Sequence, residues 1–295
     1  MRFSNSSHLF PTTLNSDQFM TINKSIYKSA VNAIMALSAT VFLSSCEKVI
    51  DLNLNSTEKR YVVEGIITDQ TGARVTISQT KDFTEDNSLA TVSGATVEMS
   101  EAGGAVTTLT EASPGIYTAP AMIGTSGRTY TLSVKVNGQT FTAVSTMPQR
   151  VNFDTLYVTD EFLFGENRRT ANTEYQDPPG RGQYYRFVQY INGKKEPTIF
   201  YQSDEYTDGN YVNNKLFYFP DDDDNEAQKI KTGDQLRIDM FCIDVNVYKY
   251  WFSLDRSATG ESGQATPSNP VTNMKGGALG YFSAHTTQTK TITVP

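Results

Sequence analysis

From Tyr61 onward the chain breaks into short runs rich in Val, Ile, Thr and Tyr, punctuated by Gly, Asn or Pro at intervals of about ten residues. That rhythm is too short for amphipathic helices and suits strands joined by tight turns, so it predicts antiparallel β-sandwiches. Strands are predicted at Tyr61–Thr68, Arg74–Gln79, Thr96–Glu101, Val106–Glu111, Gly115–Thr118, Thr129–Val136 and Gln139–Thr146. The sharpest local signal is Asn137-Gly138, a pair that tolerates the positive φ angles of a type I′ hairpin turn. Around it Tyr130, Leu132, Val134 and Val136 share one face, and Thr129, Thr131, Ser133 and Lys135 the other, so one side is core and the other wet.

Pro148 closes this unit, and a second, more aromatic one runs over residues 149–295. Its predicted strands are Phe153–Thr159, Gln183–Ile191, Thr198–Gln202, Lys215–Phe219 and Gln235–Ile243, then a final hairpin of Gly280–His285 and Lys290–Val294. Asn192-Gly193 supplies a second turn. Between Asp244 and Arg256, Val247, Tyr248, Trp251, Phe252 and Leu254 fall at helical spacings, which predicts one helix inserted among the strands. Its aromatic stripe reads as packing against the sheet, with a ligand platform as the sharper alternative. Ser257–Lys275 reads as a long loop. The predicted fold class is therefore mainly β: two sandwich-like domains, 61–148 and 149–295, the second with a helix near 244–256.

Residues 1–45 have a different character. Ala30–Leu43 is an apolar run behind Lys24 and Lys28, ending in Ser44 and Ser45, which is the order of a secretory signal. The run is shorter than the roughly 20 residues that cross a bilayer. Leu43-Ser44-Ser45-Cys46 matches the bacterial lipobox, in which the cysteine is acylated, by chains such as palmitate, and becomes the first residue of the mature protein. Two or three acyl chains on one residue hold a protein on a membrane essentially permanently. The membrane is thus the first expected partner, and residues 46–60 are a lipidated Cys46 and tether. Met20 makes a more ordinary signal start than Met1.

Loss of the signal removes Arg2, Lys24, Lys28 and Asp17, moving the formal charge from −7 to −9, which argues against nucleic acid as a partner. Cys242 is then without a partner cysteine and reads as a buried structural thiol. His285, the one histidine outside the signal, reads as a surface residue of a polar strand. Asp221, Asp222, Asp223 and Asp224 form the densest acidic run. They read as a solvated loop, with hard-oxygen calcium ligation as the alternative. Tyr184, Tyr185, Phe187, Tyr190, Phe200, Tyr201, Tyr206, Tyr211, Phe217, Tyr218 and Phe219 crowd the second unit. Most are expected in its core, and an exposed subset would suit a sugar or a protein partner. No pattern in the chain marks a catalytic residue, a cofactor site or a metal site.

The lipobox followed by Glu47, Lys48, Val49, Ile50 and Asp51, then Tyr61–Gly65 (YVVEG), Gly127–Val134 (GRTYTLSV), Thr140–Pro148 (TFTAVSTMP) and Ser268–Phe282 (SNPVTNMKGGALGYF), resembles the DUF4249 lipoproteins of the Bacteroidota. The resemblance spans nearly the whole mature chain. It implies an outer-membrane lipoprotein in cells that pair many TonB-dependent receptors with lipoprotein companions, and it supplies no catalytic residues. The first unit also looks like the immunoglobulin-like or carboxypeptidase-regulatory-like sandwiches of such envelopes. The expected role is a non-enzymatic binding or accessory component at either face of the outer membrane, alongside a β-barrel transporter. An extracellular glycan- or peptide-binding protein is the alternative, and a hydrolase using a carboxylate pair is a third class.

Overall fold

The computed structural model describes residues 58–82, 85–86, 88–163, 165–218, 229–259 and 268–295. The signal, Cys46, Phe219 and Asp221–Asp224 lie outside the described residues. The first part of the chain forms β1 (Tyr61–Thr68), β2 (Gly72–Gln79), β3 (Ala90–Thr91), β4 (Thr96–Glu101), β5 (Val106–Thr108), β6 (Thr110–Ser113), β7 (Ile116–Ala119), β8 (Thr129–Val136) and β9 (Gln139–Thr146). Then come β10 (Thr155–Leu163), β11 (Glu166–Gln176), β12 (Tyr184–Ile191), β13 (Lys194–Lys195), β14 (Phe200–Ser203), β15 (Tyr211–Leu216) and β16 (Gln235–Ile243). Helix α1 (Val245–Thr259) and the long β17 (Leu279–Thr293) complete the described fold. It is mainly β, sandwich-like and carries one α-helix among the described residues.

Two layered cores result. Val63, Ile67, Val75 and Ile77 of β1 and β2 meet Val97, Met99, Leu132, Val134, Phe141 and Ala143 from the four-stranded sheet β5-β4-β8-β9. Tyr185, Phe187, Leu236, Ile238 and Met240 of β12 and β16 meet Leu156, Ala171, Tyr175, Val212 and Leu216 from the three-stranded sheet β10-β11-β15. The change of core falls at Met147 to Val151, close to Pro148. The predicted hairpin is present: Asn137 and Gly138 take φ of 48° and 78°, Val136 pairs with Gln139, and Tyr130, Leu132, Val134 and Val136 are buried. Asn192 and Gly193 turn in the same way, with φ of 50° and 80°.

The expected C-terminal hairpin is absent. β17 is one unbroken strand of 15 residues, about 50 Å at the usual rise of about 3.3 Å per residue. Its first half runs parallel to β1, from Val62 opposite Leu279 to Thr68 opposite His285. Its second half runs antiparallel to β16, from Cys242 opposite Thr286 to Gln235 opposite Thr293. The polar residues Thr286, Thr287, Gln288 and Thr289, read from sequence as a break, include neither Gly, Asn, Asp nor Pro. Three of the four are β-branched, so they favour a strand. Their side chains and backbone tie the two cores together. Gln288 donates to the Val151 carbonyl and accepts from Phe153 N–H at 3.0 Å, and Asp69 accepts from Thr287 N–H at 2.8 Å. Met274, Ala278, Phe282 and Ala284 accordingly belong to the first core, whereas Val294 belongs to the second.

Three smaller expectations also change. Val106–Glu111 splits into β5 and β6, because Leu109 turns inward and donates its N–H to Val97 O at 2.9 Å. The strand predicted at Lys215–Phe219 ends at Leu216 and begins earlier, at Tyr211, where it pairs with β11. β11 itself was not expected: its run Glu166–Gln176 is largely polar, yet Thr170, Asn172 and Thr173 are buried. Asn172 is satisfied there by donating to Thr159 Oγ1 at 2.8 Å and Thr170 O at 3.0 Å.

Asp244 starts the helix. Its Oδ1 accepts the N–H groups of Asn246 and Val247 at 2.8 and 3.0 Å, the geometry of an N-cap. Its Oδ2 takes Thr146 N–H at 3.2 Å and the Ser145 hydroxyl, while Ser145 Oγ accepts Ala284 N–H at 2.9 Å. One carboxylate and one hydroxyl thus join α1, β9 and β17.

Gly280 tests the parallel pairing. It holds φ of 92°, and a Cβ there would fall on the Val63 carbonyl of β1. Gly280→Ala combines backbone strain with overpacking and is expected to lower stability by about 3 kcal/mol or more. The check is the urea midpoint, and an unchanged midpoint would contradict the pairing of β1 with β17.

Candidate ligand-binding cleft

Strand alternation gives the central sheet two faces. Tyr185, Phe187, Ile238 and Met240 enter the second core, so Arg186, Val188 and Tyr190 of β12 and Phe241 and Ile243 of β16 point the other way. Register sets these side by side, with Arg186 opposite Phe241. Across β17 the same face continues through Tyr281, Ser283 and His285, and Ile66 of β1 lies opposite Ser283. Helix α1 crosses this outer face. Tyr248 meets Tyr184 at 4.8 Å between ring centroids, Phe252 meets Tyr201 at 5.6 Å, and Trp251 meets Tyr281 at 5.1 Å. The aromatic stripe therefore packs on the sheet as predicted, and Trp251 also walls a cavity of about 210 Å³ beside it.

Arg186 is the charged group inside that cavity. It is 4% exposed, and its guanidinium carbon lies 4.3 Å from the Trp251 ring centre, a cation-π contact. Nη1 donates to the carbonyl oxygens of Phe187 and, at 3.1 Å, Phe200. Nε is buried without a hydrogen-bond partner. Burial is the main force on its pKa and pulls it down to about 10, so the group is a cation at neutral pH. Among the described residues, no carboxylate forms an ion pair with it. Lys195 stands exposed at the rim, its pKa lowered first by desolvation and then by the charge of Arg186.

His285 does not lie on the surface. It is 7% exposed, because β17 is an interior strand rather than the edge of a hairpin. Its Nδ1 pairs with Ser283 Oγ at 2.9 Å, its ring lies 4.8 Å from Phe241, and burial pushes its pKa down to about 4. At neutral pH the ring is uncharged and a poor base. Among the described residues no carboxylate hydrogen-bonds it, so this Ser-His pair lacks the third group that orients a triad. Cys242 is buried as expected, with its thiol raised by desolvation and receiving Val151 N–H at 3.5 Å.

Arg186 was not singled out from sequence. The signal was there: a lone cation in the aromatic and aliphatic run Tyr184–Ile191, which must either face solvent or be buried for a reason.

Carboxylates also converge away from the cleft, at Asp177, Asp204 and Asp208, whose oxygens lie within 4.8 Å of one another. Each is occupied by local donors. Gly180 N–H reaches Asp208 at 2.6 Å, Gly182 and Gln183 N–H reach Asp204 at 2.7 and 3.1 Å, and Tyr185 O–H and Gly209 N–H reach Asp177, the latter at 3.3 Å. The cluster staples the loop after β11 to the 3-10 turn Asp204–Tyr206.

Burial raises the Asp177 carboxyl above its ordinary range, against the Tyr185 hydrogen bond, which lowers it. A carboxyl that holds its proton more tightly when folded loses stability as pH rises through its folded value. Asp177→Asn removes that slope. Between about pH 4 and pH 7 its urea midpoint should gain on the wild type, and a pH-independent difference would contradict this reading.

No curated protein matches the chain. The family model described as a domain of unknown function, DUF4249, matches residues 47–291, which takes in the first core, nearly all of the second and every residue lining the cleft, and the chain belongs to the DUF4249 family.

Proposed function

We propose that this chain is a lipid-anchored protein of the bacterial outer membrane, of the kind found in the Bacteroidota, that binds a ligand in the aromatic cleft without transforming it. It works as a companion to a TonB-dependent transporter. The observation that carries the binding role is Arg186. A buried cation with an unused donor costs free energy in the ligand-free fold, and a binding partner is what would recover it. The lipobox at Leu43–Cys46 supports the anchor, and family membership over residues 47–291 supports treating the body as one functional unit.

The anchor is tested by Cys46→Ser. Wild-type protein should partition into the detergent phase and incorporate labelled palmitate, whereas the variant should do neither. Equal behaviour of the two would sink lipid anchoring. The companion role is tested by mild detergent solubilisation of outer membranes. A large β-barrel should co-purify with the tagged chain, and recovery of the monomer alone would count against it.

A second reading is favoured by the aromatic residues outside the cleft. Tyr206 is 87% exposed and Tyr211 55%, and exposed tyrosines suit glycan stacking. Glycan-array binding that disappears in the double variant Tyr206→Ala, Tyr211→Ala would select this surface over the cleft.

A further inference from the structure

We infer that the cleft recognises a carboxylate carried on a small, flat apolar body, held by the side edge of the Arg186 guanidinium. The inference rests on the proposed binding role of this cleft and names the ligand class.

A guanidinium has five N–H donors in one plane. In Arg186, Nη1 is used by the carbonyls of Phe187 and Phe200, which fix the orientation of the plane. The opposite edge, Nε with Nη2, has no acceptor among the described residues, and Nε is covered, so a ligand oxygen reaches it only as the wall of the cavity that Arg186 lines gives way slightly. That edge presents two parallel N–H groups, the fork that matches the two oxygens of a carboxylate. A neutral sugar or amide would leave the buried cation uncompensated, whereas a carboxylate both fills the fork and neutralises the charge. Lys195 at the rim adds a second positive charge, partly offset by the nearby Glu64 carboxylate. His285, uncharged at neutral pH, adds none.

The walls specify the rest of the ligand. Trp251, Tyr281 and Phe241 enclose the cavity of about 210 Å³, larger than the roughly 150 Å³ cavity that takes up benzene in an engineered apolar core. The space suits one ring or a short branched chain together with the carboxylate. A nucleotide is too large. Phosphate also fits an arginine fork, but its second charge and strong hydration weigh against entry into an aromatic enclosure of this size.

Trp251 is the sole tryptophan of the chain and touches Arg186, so its fluorescence reports the cleft directly. The mature lipidated protein in a non-ionic detergent is titrated with benzoate, phenylacetate and 3-phenylpropionate, with the matching primary amides, and with inorganic phosphate. At least one carboxylate should bind saturably and about tenfold or more tighter than its amide, the scale of a charge-assisted pair of hydrogen bonds. Arg186→Lys keeps the charge and replaces the fork by a point donor, so it should lose about tenfold or more for the carboxylate and narrow the ratio of acid to amide affinity. The wild-type comparison of carboxylate with amide stands even if that variant fails to fold. Equal binding of acids and amides would overturn the carboxylate inference and leave the cleft as a binding site. Tighter binding of phosphate than of any carboxylate would overturn it in the same way. Absence of any response to acid, amide and phosphate alike would overturn both the inference and the binding role of the cleft.

Discussion

Everything in the described fold depends on β17 being a single strand shared by two cores. Its first half lies parallel to β1 and its second antiparallel to β16, so the first and last strands of the body are neighbours. Parallel pairing needs a long crossover, and here the crossover is nearly the whole chain. The sheet can close only when its last residues are present, which makes it a high contact-order fold. The same strand also separates core from cleft. Phe282 and Ala284 enter the first core, while Tyr281, Ser283 and His285, one residue out of phase, line the cleft. A one-residue slip in register would exchange those roles, and the Gly280 contact with Val63 and the Gln288 clamp on Val151 and Phe153 hold the register from both ends.

Two groups of charged residues differ in how far their hydrogen-bonding capacity is filled. Asp177, Asp204 and Asp208 are close together, yet their oxygens take N–H groups from the adjoining loops and the O–H of Tyr185 in β12. They are accounted for by the structure they hold. Arg186 is accounted for only on its Nη1 side. A buried ionised group with unmatched donors is the costly case, and the aromatic ring of Trp251 offsets only part of that cost through its quadrupole. Asp255, which shifts the Arg186 pKa upward through space, is not ion-paired with it and receives the Tyr201 hydroxyl instead, at 3.1 Å.

What was legible in the sequence follows from where local chemistry decides. β8, β9 and the Asn137-Gly138 turn were readable because turn residues and strict alternation agree. β1, β4 and β16 also fall at their predicted bounds, and α1 begins within a residue of its expected start. β17 and β11 were hidden because their polar stretches are satisfied by distant partners: Gln288 by the linker at Val151 and Phe153, Asn172 by Thr159. Long-range hydrogen bonding leaves no local pattern. The burial of His285 follows from the continuity of β17, since a residue on a hairpin edge would be wet and the same residue between β1 and β16 is not. The cleft was hidden for a related reason. Arg186, Trp251 and Tyr281 are far apart in sequence, and only the register of β12, β16 and β17 assembles them.

The cleft is also tied to the first core, and that bears on what binding there would cost. Its roof, α1, is capped by Asp244, whose other oxygen is held by Ser145 and Thr146 of β9. Ser145 Oγ in turn accepts from Ala284 of β17, a strand of the floor. Roof and floor are therefore connected through one hydroxyl and one carboxylate to the rigid first core. Ordering mobile side chains on binding costs about 0.5–1.5 kcal/mol each, and side chains already held by hydrogen bonds and ring contacts avoid part of that cost. Arg186 is oriented by two backbone carbonyls and Trp251 by its contacts with Tyr250 and Tyr281. For the anion proposed above, less of the free energy of meeting the guanidinium edge would then go into ordering the side chains around it.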